Sequence, residues 1–389
     1  MTDASPPVTR PLRVGLNLVY FERASGGSGT YARELIRAIL AVEPETQLTA
    51  FVSRSLPDDV LDEPWAPRVR WVRFGVDATG NPWHFLPELA GIAIAAARRR
   101  LDVVHGLAYI APPVAPRVAT VVTILDTIWM QLPETVDWRF RTIMRGLVPA
   151  AARGAERVVA ISEAAREDLV AHLGIPRDKI DVTLLGIRPE QRAKPTPEHE
   201  LRQRLGLDDR PVVLCVAAKR AHKNLAGLVR AVAAMGDGGP QLVLPGAPTD
   251  HETELRALAE QLQAAERVRF CGWLEESELE GLYALASCFV LPSFTEGFGL
   301  PVLEAMSRGV PVVCSDRASL PEVAGDAAIL FDPDDVDSLV SGLERVLGDE
   351  RLAADLVARG RERVGAFTWE RTARATLDVY RRALAQRSG

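Results

Sequence analysis

Ser287–Ser315 reads SCFVLPSFTEGFGLPVLEAMSRGVPVVCS. CFVL is a short, continuous apolar run, the pattern of a strand covered on both faces. LPVLEAMSRG then reads as a helix. Pro301 suits its first turn, where the missing N–H is not needed, and Gly309 closes it. VPVVCS returns to an apolar run. Strand, helix and strand at this spacing form a right-handed βαβ unit of a parallel sheet.

The same grammar extends along the chain. LRVGLNL, LTAFVS, VRWVRF, DVVHG, ATVVTIL, RVVAIS and IDVTLL form one series of strand-like runs. PVVLCVAA, QLVLP, RVRFCG, SCFVLP, VPVVCS and AAILF form a second, and amphipathic segments alternate with both. The expected fold is α/β, with two doubly wound Rossmann-like domains facing across a cleft at the carboxyl ends of their strands. The stretch Gly186–Glu200, rich in proline and charge, reads as the linker. The boundaries fall at 1–188, 189–366 and 367–389, the last a strong helix for which Thr368 alone can serve as N-cap.

Composition narrows the partners. A net charge of −6 over 389 residues argues against nucleic acid as the main partner. Cys215, Cys271, Cys288 and Cys314 have no metal-ligand spacing and read as buried free thiols of a reducing compartment. The first residues carry no signal pattern, and no stretch reaches the ~20 apolar residues of a spanning helix. LAGIAIAAARRR, Leu89–Arg100, reads as a core helix with a solvated end, with contact to an anionic membrane surface as the alternative. A cytoplasmic protein, with peripheral membrane contact left open, is the expectation.

Chemistry concentrates in the turn between the first strand and helix of the opening stretch. Gly297 and Gly299 let the backbone expose its N–H groups and admit a ligand closely. Free N–H groups at the positive end of a helix make an anion site, most naturally for phosphate. Glu296 and Glu304 flank this turn, and Glu304 lies about one helical turn, roughly 6 Å, past Leu300. Carboxylates accept hydrogen bonds from sugar hydroxyls. One on each side of a diphosphate suits a nucleotide sugar, with ribose at one end and hexose at the other. Taken alone, Glu304 would merely favour the helix dipole by about 0.3–1 kcal/mol and Glu296 would be a surface turn residue. The glycines and proline between them favour the functional reading.

In VLCVAAKRAHKNLAGL a strand ends, a short loop follows, and a helix opens near Lys223 or Asn224. Arg220 and Lys223 stand at strand and helix ends, where cations meet a diphosphate. Asp332–Pro333–Asp334 reads as a helix N-terminus rather than a metal site, and no cluster has metal-ligand spacing. SGGSGTYARELI is a glycine-rich turn before the first helix, without the G-x-G-x-x-G spacing of a dinucleotide fingerprint.

These residues carry a resemblance. Glu296–Gly297–Phe298–Gly299–Leu300–Pro301 with Glu304 is similar to the E-x7-E motif of family-4 retaining glycosyltransferases, which have the two-domain GT-B fold. GGSGTYARELIRAI, VVTILDTI, AERVVAISEAAREDL, AAKRAHKNLAGLVRAV, VRFCGWLEESELEGLYALA, ASLPEVAGDAAILFDPDD and FTWERTA resemble its successive landmarks in order. The resemblance implies that Glu304 holds the ribose, Glu296 the transferred sugar, and the N–H groups of Phe298, Gly299 and Leu300 the sugar and diphosphate. It implies that Arg220 and Lys223 neutralise the leaving group without metal, that Gly27 and Gly29 border diphosphate and acceptor, and that Asp126 stands at the cleft. It also implies that the last helix crosses back to the N-terminal domain.

The chain departs from the pattern twice. Many relatives carry an arginine where Ala218 stands and a histidine where Leu125 stands. His105 is the candidate to substitute for the latter, as a donor contact, and capping a strand end is its other reading. The expected activity is retaining transfer of a sugar from a UDP- or GDP-type donor to a saccharide, lipid-linked or small-molecule acceptor, with no further cofactor. A nucleotide-sugar 2-epimerase and a non-catalytic nucleotide-sugar-binding protein are the alternatives. Acceptor contacts are expected around Phe21–Gly29 and Pro82–Phe85. Trp83, Phe85 and Trp138 read as core residues, with sugar stacking or a lipid path as the alternative.

Overall fold

A computed structural model describes residues 10–21, 26–77, 85, 87–133, 137–188 and 193–388. The start of the chain, part of the linker at 189–192, and the candidate acceptor positions 22–25 and 82–84, Trp83 among them, lie outside the described residues.

The chain divides into two compact units: Met1–Met130 with Asp137–Gly186 and Trp369–Gly389, and Gln131–Val136 with Ile187–Thr368. The first holds strands β1 (Arg13–Leu18), β2 (Gln47–Val52), β3 (Val69–Arg73), β4 (Val103–Gly106), β5 (Ala119–Thr123), β6 (Arg157–Ala160) and β7 (Ile180–Val182). They form one parallel sheet in the order β3-β2-β1-β4-β5-β6-β7. Its helices are α1 (Gly26–Val42), α2 (Ile92–Arg98), α3 (Ile128–Gln131), α4 (Trp138–Gly154) and α5 (Glu163–Leu173). Apolar runs such as ATVVT are buried at every position because helices cover both faces of the sheet.

The second unit holds β8 (Val212–Leu214), β9 (Gln241–Leu244), β10 (Val268–Phe270), β11 (Cys288–Leu291), β12 (Val312–Ser315) and β13 (Ala328–Phe331). Their order is β10-β9-β8-β11-β12-β13, again all parallel. The helices are α6 (Glu198–Leu205), α7 (Leu225–Ala234), α8 (His251–Gln261), α9 (Glu276–Leu285), α10 (Leu300–Ser307), α11 (Leu320–Ala324), α12 (Val336–Gly348) and α13 (Glu350–Val364). Val213, Leu228, Val232, Leu242, Val290 and Leu343 belong to the core between sheet and helices. The four cysteines are free and buried, and burial pushes the Cys215 and Cys314 thiols up to about 12.

The last helix, α14 (Trp369–Ser388), belongs to the first unit, where it packs on α1 and β5. Trp369, Ala373, Leu377, Tyr380 and Ala383 are buried along one face. Arg387 pairs with Glu156 and Arg382 with Asp181 at 3.1 Å. Asp335, one residue beyond the D-P-D string, caps α12 by accepting from the N–H groups of Asp337 and Ser338. Asp332 and Asp334 instead pair with Arg317 at 2.7 and 3.2 Å. Among the described residues no helix is long and apolar enough to cross a membrane, and no group of acidic, His or Cys side chains forms a metal-binding cluster.

Candidate functional site

The strand order of each sheet reverses at one place, and that switch point is where an open α/β sheet binds ligands. In the second unit β8 lies between β9 and β11, so the loops after β8 and β11 diverge to opposite sides. The first loop carries Lys223 and the second carries Glu296. The N–H of Phe294 donates to the His222 carbonyl at 2.9 Å and stitches the two loops together.

Lys223 and Glu296 meet there. The Lys223 ammonium donates to Glu296 Oε1 at 2.7 Å, and the Ser293 hydroxyl donates to the same oxygen at 2.6 Å. Both charged side chains are mostly buried, so the pair is held rigidly and weakly screened. Ser293 is itself fixed, because its carbonyl accepts from the Ser315 hydroxyl at 2.6 Å. The Ser319 hydroxyl lies 3.0 Å from the Glu296 carbonyl and 2.7 Å from that of Phe298. Three serines, Ser293 just after β11, Ser315 at the end of β12 and Ser319 just before α11, thus set the turn.

Gly299 is the N-cap of α10 at φ 107°. A Cβ there would lie 2.6 Å from Leu320 Cδ2, so glycine is required by both conformation and space. Among the described residues no protein acceptor takes the N–H of Phe298, Gly299 or Leu300. These groups, with the helix dipole behind them, present a site for an anion. The Phe298 ring is buried edge-on to Phe367, centroids 5.9 Å apart, and anchors the turn from beneath.

Glu304 sits on the second turn of α10. Burial pushes its carboxyl above the usual range, against the Arg308 charge and the Tyr283 hydroxyl, which donates to Oε2 at 3.4 Å. Oε1 takes no partner among the described residues. Arg308 is occupied by Glu280, and its guanidinium stacks 4.4 Å from the Tyr283 ring centroid.

The basic loop holds one cation that the sequence reading did not weigh. Lys219 is fully buried and donates to the carbonyls of Gly246 at 2.6 Å and Cys271 at 2.9 Å. It is a structural staple and does not stand in for the arginine missing at Ala218. Arg220 is exposed and has no partner among the described residues. Lys223 closes a short turn, after which Asn224 takes φ 49° and caps α7 by accepting from the Gly227 N–H at 3.2 Å. His222 has a buried Nδ1 without a partner, and burial with the Lys223 charge pushes the ring down to about 4.

In the first unit the structure corrects two expectations. His105 offers nothing to a donor. It is fully buried, with Nδ1 2.8 Å from the Tyr380 hydroxyl of α14 and Nε2 2.8 Å from the Thr123 hydroxyl of β5. The Tyr31 hydroxyl of α1 lies 3.1 Å from the same Thr123 oxygen. His105 therefore locks α14 to the sheet. Gly27 and Gly29 do not form a turn before α1 but lie within its first turn. Space does not dictate Gly27, since a Cβ there would meet nothing within 4 Å.

Asp126 follows β5 and is partly buried. Oδ2 accepts from the Tyr109 hydroxyl at 2.6 Å and Oδ1 from the Ile128 N–H at 3.1 Å. Nearby in this unit lies a carboxyl that the sequence reading missed. Glu88 is buried, takes Asn17 Nδ2 on Oε2 at 2.6 Å, and is pushed by burial up to about 7. Ser293, Ser315, Ser319, Tyr283 and His222 also escaped, because none belongs to a spaced pattern. Only Ser293, directly after a strand end, had a positional cue.

Two doubly wound parallel sheets, one with a buried cation–carboxylate pair and a free helix N-terminus at its switch point, define a two-domain Rossmann-like protein built to hold an anionic ligand. Comparison with known proteins gives the family. The glycosyltransferase family 4 model matches residues 25–191 and the glycosyl transferases group 1 model residues 197–363. The chain belongs to the family-4 glycosyltransferases.

Among curated relatives, it is 33% identical to the O-antigen chain mannosyltransferase B of Escherichia coli, over 58% of this chain and 61% of that protein. The match therefore spans less than two thirds of that relative. It is 28% identical to the MMP alpha-(1->4)-mannosyltransferase of Mycolicibacterium hassiacum, over 96% of this chain and 99% of that one. Sucrose-phosphate synthase from Thermosynechococcus elongatus shares the fold, with TM-score 0.75 and 24% identity over 96% of this chain and 99% of that one.

Proposed function

We propose that the protein is a retaining glycosyltransferase that moves a sugar from a UDP- or GDP-type donor to a hydroxyl of a saccharide, lipid-linked saccharide or natural-product acceptor. Mannose is the sugar that the names of its curated relatives favour. The observation that carries this reading is the Lys223–Glu296 pair, 2.7 Å apart at the switch point and beside the open N-terminus of α10.

Each part has a task in such a transfer. Charge develops on the diphosphate as the C1–O bond breaks, and the Lys223 ammonium with the N–H groups before α10 meets it. Arg220, exposed on the same loop, adds a second cation. With that charge supplied by side chains and backbone, the reading requires no metal. Glu296 keeps Lys223 in place through one oxygen and accepts from a sugar hydroxyl through the other. Glu304, with Oε1 unoccupied, accepts from the ribose hydroxyls.

The transition state has oxocarbenium character. The acceptor oxygen forms its bond to C1 on the face the leaving group vacates, and the leaving phosphate oxygen takes the acceptor proton. No protein base is needed. Asp126, in the first unit, is the proposed contact to the sugar or acceptor at the carboxyl end of that sheet.

The test starts with thermal-shift binding of GDP-mannose and UDP-sugars in EDTA. Ligand at about 100 Kd adds about 2.7 kcal/mol of stability, a rise of a few degrees. Donor consumption is then followed with candidate acceptors, and the product anomer is read by NMR. A new glycoside with the donor's configuration is expected. An epimerised donor, an inverted product, or a donor bound but left unchanged would overturn the reading.

A further inference from the structure

Asp126 does not stand alone at the carboxyl end of the first sheet. Its Oδ2 accepts from the Tyr109 hydroxyl at 2.6 Å, and Tyr109 is the centre of an unusual turn. The Ile110 N–H donates to the Ala108 carbonyl at 2.7 Å across it, and Tyr109 takes φ 62°. A hydrogen bond closed over one residue of positive φ makes the rare, strained kind of γ-turn. A tyrosine persists in it only where its surroundings impose it.

Two contacts impose it here. The Tyr109 N–H donates to the Thr123 carbonyl at the end of β5, at 2.8 Å. The Ile110 carbonyl lies over β4. A Cβ on Gly106 would stand 2.1 Å from its oxygen, so only glycine lets the turn come so close. That oxygen accepts from Asn17 Nδ2 at 3.1 Å. Asn17 is the partner of Gly106 in the β1–β4 register, at the switch point of this sheet.

The Asn17 amide is fully used. Nδ2 also donates to Glu88 Oε2 at 2.6 Å, and Oδ1 accepts from the Val19 N–H at 3.1 Å. Asn17 and Glu88 are both buried, and Glu88 Oε1 takes no partner among the described residues. A continuous path thus runs from Glu88 through Asn17 and the Ile110 carbonyl to Tyr109 and Asp126, all within the first unit.

We propose that Tyr109 and Glu88 are positioning residues of the transfer reaction: Tyr109 aims Asp126 at the acceptor, and Glu88, through Asn17, keeps the turn that holds Tyr109. This rests on the transferase reading. It also gives the enzyme an alkaline limit. Burial holds Glu88 in its acid form up to about pH 7, opposed by the Asn17 bond, and among the described residues no cation or second carboxylate acts on it. The titratable group facing it is Tyr20, after β1, with Tyr31 of α1 beyond; burial pushes both above their usual range, so they stay neutral. His105 of β4 turns instead to Tyr380, and Asp126 to Tyr109. Once its proton leaves to solvent, Glu88 is a buried anion without a counter-charge, and water must reach it. The seam between β1 and the turn then opens, and the strained turn relaxes away from Asp126.

The experiment has two arms. In the first, kcat/KM for the acceptor is measured at saturating donor from about pH 5.5 to about pH 9. Wild type should hold level to about pH 7 and then fall about tenfold per pH unit. Within Glu88→Gln the fall should be absent, whereas Tyr20→Phe should keep it. Tyr109→Phe should lower the acceptor kcat/KM about tenfold or more and change donor affinity by calorimetry less than about twofold, since the proposed donor contacts lie in the second unit.

The second arm is hydrogen exchange of residues 107–111 read by mass spectrometry. At about pH 8.5 wild type should exchange about fivefold faster there than Glu88→Gln, and at about pH 6 the two should match. Should Glu88→Gln fail to fold, wild type alone suffices. Corrected for intrinsic rates, its exchange at 107–111 should rise between the two pH values while that of α5 does not. An equal fall of rate in wild type and Glu88→Gln, no rise in exchange at 107–111, or full acceptor kcat/KM in Tyr109→Phe would each overturn the proposal. The exchange arm needs no substrate, so it decides the link from Glu88 to the turn even where no donor is turned over, an outcome that would count against the transferase reading itself.

Discussion

Lys223 does two things at once, and its removal separates them. Its ammonium neutralises Glu296 at 2.7 Å and, in the proposed reaction, meets the leaving diphosphate. Lys223→Ala should therefore lower kcat/KM by about 3 kcal/mol, near a hundredfold, the scale of one lost transition-state charge contact. It also leaves a mostly buried carboxylate without its partner, so Lys223→Ala should lower the melting temperature, whereas Lys223→Ala with Glu296→Gln should restore part of it. Steady-state kinetics and thermal melts of both variants check this. Near-normal activity in Lys223→Ala would remove the pocket's claim to the donor. Glu304 differs, because its raised affinity for protons comes from burial beside Tyr283 rather than from an ion pair. Glu304→Ala should raise the donor KM and lower kcat while leaving the Lys223–Glu296 geometry intact, measured with donor varied at saturating acceptor.

At the scale of the element, the turn into α10 depends on one glycine. Gly299 at φ 107° has Leu320 Cδ2 2.6 Å from where a Cβ would stand. Gly299→Ala adds a left-handed penalty of about 1–2 kcal/mol to that contact, so the turn should shift, not merely tighten. Expected are a stability loss of about 1–3 kcal/mol in urea unfolding and a loss of nucleotide diphosphate affinity by calorimetry. An unchanged affinity would show that the N–H groups before α10 are not the phosphate site. Elements like this were legible in the sequence. Every strand-like run became a strand, and short apolar, β-branched runs marked most of them, whereas the longer apolar run at Ile92–Ala97 became helix α2. Gly309 at φ 72° closes α10 as its position implied. What the pattern did not carry were partners distant in sequence. His105 stands at a strand end like a ligand residue, yet its partner Tyr380 lies 275 positions later on α14. Lys219 and Arg220 are adjacent, and only the paths of Gly246 and Cys271 decide which of them turns inward. The three serines behind Glu296 come from separate segments of the chain and share no spacing.

The whole chain returns at its end to the unit where it began, and α14 closes over His105. The buried ring is pushed down to about 3, while buried Glu88 of the same unit is pushed up to about 7. These two shifts act on stability in opposite directions. Unfolded, His105 binds a proton below about pH 6.5, whereas folded it stays neutral, so its stabilising contribution is full above that value and is lost as pH falls toward 3. Glu88 runs the other way. Folded, it keeps its proton up to about 7, while the unfolded carboxyl has already lost its own, so its contribution is full below the unfolded value and is lost as pH rises through 7. Between about pH 5 and pH 7.5 each amounts to roughly 2 kcal/mol, and wild type should show little net slope from the pair. Glu88→Gln keeps an acceptor for Asn17 and removes one side of the balance. Relative to wild type, its unfolding free energy should then climb by about 2 kcal/mol from pH 5 to pH 7.5. His105→Gln should reverse the sign and make stability fall over the same range. Urea titrations at both pH values for the three proteins measure the slopes directly. Parallel slopes would mean that neither group is held in the uncharged form, and that the Tyr31–Thr123–His105–Tyr380 chain is open to water in solution.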